Sequence, residues 1–181
     1  MNNQTRYAIP TIILHWLVAL LIVAAFILGS IMTDMRISPT KLQYYSYHKW
    51  LGVTVLGLVA LRLISRLLTQ APAYPAHMSA LQKKVANGTH VFLYVLMFAV
   101  PLSGYVYTCA AGYPVVYLGL IELPSIIAPA PELKHTLKEI HELLSNLMLV
   151  TVLLHIAAAV KHQVIDKDGL MRRMMPGKSN P

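Results

Sequence analysis

Four apolar runs dominate this chain: Ile9–Met32, Tyr44–Leu68, His90–Ala111 and Ile140–Lys161. About 20 apolar residues in a helix cross the roughly 30 Å hydrocarbon core of a bilayer, so each run is long enough to span one. A chain of 181 residues has room for little else. The fold class predicted is an all-α membrane protein, a four-transmembrane-helix bundle. One domain is expected over residues 1–181, with helices at about 9–32, 44–68, 88–111 and 134–162 and a tail over 163–181. The first run is too long, and wrongly flanked, for a cleaved signal peptide. Composition agrees. A soluble domain is about a quarter charged, whereas this chain is 12% charged and 56% hydrophobic.

The basic residues sort by side. Arg6, Arg62, Arg66, Lys83, Lys84, Lys161, Lys167, Arg172, Arg173 and Lys178 fall on the face shared by the two termini. Arg36, Lys41, Lys49, Lys134 and Lys138 fall on the other, accompanied by Asp34, Glu122, Glu132, Glu139 and Glu142. The positive-inside rule places both termini in the cytoplasm. The net charge of +8 then faces anionic lipid and is no sign of nucleic-acid binding. Arg62 and Arg66 end the second helix at this face, either snorkelling to lipid phosphates or pairing with anionic groups of a ligand.

The connections carry less information. A-P-A-Y-P-A-H-M is a Pro-rich inner loop in which His77 has no assigned role, and His135 reads as a solvated surface residue. The third helix is expected to start around Asn87 and to kink at Pro101. Gly52 and Gly57 permit close approach of a helix or a flat ligand. The outer connection from Gly112 to about Ala130 is long and proline-rich, and is expected to fold over the outer end as a lid. The single Cys109 excludes an internal disulfide, a thioether haem attachment and a cysteine-ligated iron–sulfur cluster.

Chemistry enters with the histidines. The last span reads I-H-E-L-L-S-N-L-M-L-V-T-V-L-L-H-I-A-A-A-V-K-H over Ile140–His162. His141 and His155 are fourteen residues apart, so their rings leave one helix face with a rise of about 21 Å between them. His162 follows seven residues later on nearly the same face. Counting depth through alternating helices puts His48 with His141 near the outer face, and His15, His90 and His155 near the inner face. Ionisable groups inside a span are costly and point to function. Two imidazoles at one depth on facing helices can bind opposite faces of a haem iron, and helical bundles build such sites in their cores. Without thioether cysteines the haem is b type, and two levels make a wire of two haem b groups across the bilayer. Zinc is the competing ligand, yet neither cluster has tetrahedral spacing such as H-x-x-x-H. A haem-free metal transporter gives no reason for the fourteen-residue repeat. The inner level holds one histidine more than a haem needs. His15 with His155 is the favoured pair; His90 with His155 is the alternative, and His90 otherwise lies at the haem rim.

The residues in hand resemble the bacterial cytochrome b561 family. The matching segments are L-H-W at 14–16, H-K-W-L-G at 48–52, H-V-F-L-Y at 90–94, P-L-S-G at 101–104, I-H-E at 140–142, L-H-I-A-A-A-V-K-H at 154–162 and D-K-D-G-L-M-R-R-M-M-P at 166–176. They run in order over nearly the whole chain. The resemblance implies a dihaem inner-membrane cytochrome b coupled to ubiquinone, with His15/His155 and His48/His141 as ligand pairs. It also implies a place for His162 at the quinone site, although Lys161–His162–Gln163 stands where close relatives have a double histidine. Some family members oxidise superoxide at the outer face and reduce ubiquinone. Such an oxidoreductase needs a cationic entry, for which Lys49 beside His48 is the candidate, and a proton source, for which His162 aided by Lys161 is the candidate. The alternative is an electron-carrying anchor for a periplasmic electron-transfer protein, without a superoxide reaction of its own.

Overall fold

The structure, a computed structural model, describes residues 6–175; Pro176 and Lys178, and with them the end of the expected tail, lie outside the described residues. Four helices, each long and apolar enough to cross a membrane, run alternately up and down: α1 Ile9–Asp34, α2 Pro39–Leu68, α3 Ala80–Ala110 and α4 Lys134–Lys161. Only a ninth of each apolar stretch is buried within the protein. Ile13, Leu20, Ile27, Val95 and Leu154 are among the many that point outward, as expected when lipid rather than water is the solvent.

Two helices start earlier than the apolar pattern predicts, and each start has a local cause. α2 begins at Pro39 instead of about residue 44. Ser38 caps it, its Oγ accepting the Lys41 amide at 3.2 Å, and Pro39 supplies the preset φ of a first turn. α3 begins at Ala80, well before Asn87. Ser79 and Gln82 form a reciprocal capping box, at 3.2 and 2.9 Å, on a polar first turn that no apolar periodicity marks. α3 then continues through Pro101.

Close backbone approach is concentrated in the α1–α2 and α3–α4 pairs, with α2 against α3 joining the two hairpins. The central core comprises Val18, Val55, Val59, Leu96, Met97 and Met148. Met148 lies seven residues from each of His141 and His155, so the packed core separates the two histidine levels. Gly52 does sit where α2 meets α3, its virtual Cβ 4.0 Å from the Pro101 side chain. At Gly57 no atom lies within 4 Å, so close helix packing does not account for that glycine.

The outer connection contains an antiparallel hairpin, β1 Val115–Tyr117 with β2 Ile121–Leu123, which the apolar pattern did not reveal. Its turn places Leu118 (φ 53°) and Gly119 (φ 72°) in the left-handed region, as a primed turn between short strands requires. The hairpin is pinned to α2. Trp50 Nε1 donates to Val116 O at 2.7 Å, Thr54 Oγ1 meets Tyr117 Oη at 2.9 Å and Lys49 Nζ donates to Pro114 O at 3.1 Å. The expected lid is therefore an ordered hairpin anchored beside His48.

At the opposite end, which carries both termini, α4 runs into a π-turn (His162–Asp166) and a 3₁₀ turn (Met171–Met174). The tail folds back under the bundle. Met174 O accepts the Trp16 indole N–H at 2.7 Å, and the Tyr7 amide donates to Arg173 O at 3.4 Å.

Candidate functional site

Five histidines from all four helices meet at two levels. At the hairpin end, His48 of α2 and His141 of α4 have ring centroids 6.2 Å apart. At the terminal end, His15 of α1 and His155 of α4 are 6.4 Å apart, and His90 of α3 and His155 are 5.6 Å apart. Two imidazoles sharing one metal from opposite sides, through bonds of about 2 Å, have centroids roughly 6 Å apart. The spacing at both levels suits a bis-imidazole iron.

The hairpin-end level is the more completely built. His141 Nδ1 lies 3.1 Å from Val100 O and 3.0 Å from Ser103 Oγ. Ser103 Oγ itself donates to Val100 O at 2.8 Å, so both contacts to Nδ1 are acceptors. The ring proton is therefore on Nδ1, and Nε2 keeps its lone pair for a metal. Two glycines make room for the rings. A Cβ at Gly104 would meet His141 Cε1 at 2.9 Å, and one at Gly29 would meet His48 Cε1 at 3.1 Å. His48 Nδ1 is buried without a hydrogen-bond partner among the described residues. Sequence reasoning did not find Ser103, Gly104 or Gly29 as parts of this site. The available signal was a Ser-Gly pair just after the intrahelical Pro101.

The terminal-end level is different. Arg62 Nη2 stands 3.0 Å from His15 Nδ1. A guanidinium only donates, so Nδ1 accepts here and the ring proton is on Nε2. Arg62 also stacks on the Tyr94 ring, 5.2 Å from its centroid, and approaches Met97 Sδ at 3.9 Å. Arg62 Nε and Tyr94 Oη are buried without a hydrogen-bond partner. A small cavity of about 30 Å³ lies between Tyr7, Thr11, Arg62, Arg66, His90 and Tyr94. Two guanidiniums, two phenols and an imidazole around one space match an anionic group carried by a ligand, such as a haem carboxylate.

Below this level His162 Nδ1 is 2.6 Å from Asp168 Oδ2 and 3.1 Å from Asp166 Oδ2, while Lys161 Nζ is 2.6 Å from Asp166 Oδ2. Lys161 is thus paired with a carboxylate and His162 with two. Of the remaining histidines, His135 is exposed beside Glu139 at 3.4 Å and His77 is exposed. The cations at the hairpin end are held in place. Lys41 donates to Met35 O at 2.6 Å, Lys49 to Pro114 O, and Lys138 pairs with Glu142 at 2.9 Å.

Comparison with known proteins gives a consistent answer. The family described as prokaryotic cytochrome b561 matches residues 6–177. Cytochrome b561 homolog 2 of Escherichia coli (strain K12) is 29% identical, covering 99% of this chain and 95% of that protein. Cytochrome b561 homolog 1 of the same organism is 30% identical over 96% of this chain and 98% of its own. A probable superoxide oxidase CybB of Yersinia pestis is also 30% identical, over 96% of this chain and 97% of that protein.

Proposed function

The chain belongs to the prokaryotic cytochrome b561 family, and on that premise we propose that it moves electrons from superoxide to ubiquinone through two bis-histidine b haems. Membership makes it a multi-pass protein of the bacterial inner membrane, an electron-transfer protein with b-type haem. The dihaem reading rests on one observation. α4 offers His141 and His155 to two separate histidine levels about 21 Å apart along its axis, each with a partner ring near 6 Å. His48/His141 hold one haem and His15/His155 the other. The 6.4 Å spacing of His15 and His155 is nearer that of the first pair than the 5.6 Å of His90. His90 is left at the haem rim, beside the arginines.

When bound, haem b supplies an iron that takes and gives one electron at a time. The protein's own residues do the rest. Val100 O and Ser103 hold the His141 ring proton on Nδ1 and so present Nε2. Arg62 holds His15 in the opposite tautomer. Arg62, with Arg66 beside it, would pair with the anionic groups of a haem held there, and His15 would then present Nε2 to the iron. The basic terminal end faces the cytoplasm. At the hairpin end Lys49, fixed by a carbonyl that leaves its charge intact, draws superoxide toward His48. Two superoxide anions give up one electron each and leave as dioxygen. Ubiquinone takes both electrons with two protons at the terminal end, where His162, with Lys161 alongside, hands on protons. The similarity to a probable superoxide oxidase supports the choice of donor.

The test uses purified protein in liposomes loaded with ubiquinone. A pyridine haemochrome assay is expected to give two b haems per chain. Superoxide generated outside is expected to reduce them, and ubiquinol and dioxygen should accumulate. Two haems that superoxide leaves oxidised would remove the donor and favour a carrier serving a periplasmic protein. One haem would remove the wire.

A further inference from the structure

The hairpin end takes electrons from superoxide and the terminal end passes electrons and protons to ubiquinone, yet one buried carboxylate at the terminal end has no part in that scheme. Asp168 has a side chain only 1% exposed, at the edge of a basic inner face where a carboxylate would ordinarily be solvated. The backbone is folded to put it there. After the π-turn, Lys167 takes a left-handed conformation (φ 52°) and its amide caps His162 O, and the Asp168 amide reaches the same carbonyl at 3.3 Å. Gly169 (φ 74°) continues the reversal, and Asp168 Oδ1 accepts the Leu170 amide at 3.0 Å. Oδ2 is thereby aimed at His162 Nδ1, 2.6 Å away. A left-handed lysine costs backbone energy, and here it serves to return one carboxylate to one imidazole.

We infer that Asp168 is a positioning residue that keeps the His162 ring proton on Nδ1, leaving Nε2 as the atom that exchanges protons with quinone. The inference deepens the quinone role proposed for His162 and rests on it. An ionised carboxylate accepts only, so the nitrogen facing it must donate. The neighbouring charges agree. Asp166 also reaches His162 Nδ1, at 3.1 Å, but is shared with the Lys161 ammonium at 2.6 Å, which leaves Asp168 as the nearer, unshared carboxylate on that nitrogen. A cation bound among these carboxylates would first have to displace Lys161, so the group reads as a hydrogen-bonded relay. In the step itself one proton passes from Nε2 of the imidazolium to a reduced quinone oxygen, breaking one N–H bond and forming one O–H bond. Water on the cytoplasmic side then returns a proton to the same nitrogen. Asp168 takes no proton in this step and only orients the ring, as the carboxylate of a catalytic triad does.

The decisive variant is Asp168→Asn. Its amide oxygen can still accept the Leu170 N–H, so the turn is kept, while its NH₂ donates to His162 Nδ1 and drives the proton to Nε2. The haem-loaded, reduced, full-length protein would be labelled with ¹⁵N-histidine and its neutral imidazole tautomers read by NMR, with His162→Gln identifying the signal. The wild type is expected to show Nδ1–H and Asp168→Asn to show Nε2–H. Haem content and optical spectra should be unchanged, kcat for ubiquinone reduction should fall at least tenfold with KM within twofold, and Asp168→Glu should restore the Nδ1–H tautomer and part of kcat. An unchanged tautomer in Asp168→Asn would overturn the inference. An inverted tautomer with unchanged kcat would uphold the positioning and instead overturn the quinone role given to His162.

Discussion

The two histidine levels share α4 but are prepared differently. At the hairpin end one of the two rings, His141, is set in advance. A backbone carbonyl and a serine hold His141 in the metal-binding tautomer, and two glycines clear space for the rings. At the terminal end two imidazoles, His15 and His90, compete for His155, and Arg62 faces His15 Nδ1 so that the ring proton is on Nε2. In the proposed ligation the first level would offer iron an already oriented His141, whereas the second is organised around the charge of Arg62. Preorganised sites lose little on binding, whereas a site that must exchange a hydrogen bond gives up part of its binding energy. The hairpin-end haem should therefore be the more tightly retained.

The comparison breaks most directly through the ligands. His141→Ala or His48→Ala is expected to reduce two haems per chain to one, counted by pyridine haemochrome. His15→Ala should do the same at the other level while His90→Ala keeps both. The reverse result would exchange the roles of His15 and His90. A nearly equal loss is expected from Gly104→Val, because the added Cβ stands 2.9 Å from His141 Cε1, inside contact distance. Gly29→Ala, at 3.1 Å, should weaken haem retention without abolishing it, which a haem-transfer assay to apomyoglobin would grade.

Smaller effects sharpen the contrast. Replacing a residue that orients a metal-bound histidine costs about 10- to 100-fold in metal affinity. Ser103→Ala should fall at or below the low end, since Val100 O still holds Nδ1. Arg62→Leu should act on the terminal-end haem alone. Loss of a nearby positive charge disfavours the reduced, less positive iron, so its midpoint potential should drop by about tens of millivolts in a redox titration. The hairpin-end haem should be unmoved. Equal shifts in both haems would mean that the two levels are not electrostatically separate.

Much of the architecture is legible in the amino-acid sequence. Lipid permits few solutions for a chain, so run length alone announces the four spans, and a period near 3.6 places His141 and His155 on one face. Helix starts are less visible, because the first turns of α2 and α3 are polar and defined by Ser38 and by the Ser79–Gln82 box rather than by hydropathy. The hairpin at Val115–Leu123 escapes a reading by pattern, since strands of three residues carry almost no periodic signal and Leu118 is an unlooked-for residue in a left-handed turn.

By itself the sequence determined which segments are long enough to span and at what level the span histidines lie, because both follow from length and spacing along a helix. Only the tertiary structure decided which nitrogen carries the proton in His15, His141 and His162. Val100 O, Ser103, Arg62 and Asp168 lie 6 to 47 residues from the histidines they touch. A hydrogen bond acts over about 3 Å and requires a partner atom at a particular angle. No pattern of hydropathy encodes such a meeting; it is made when helices pack and turns reverse, and it separates a ring ready to bind iron from one that is not.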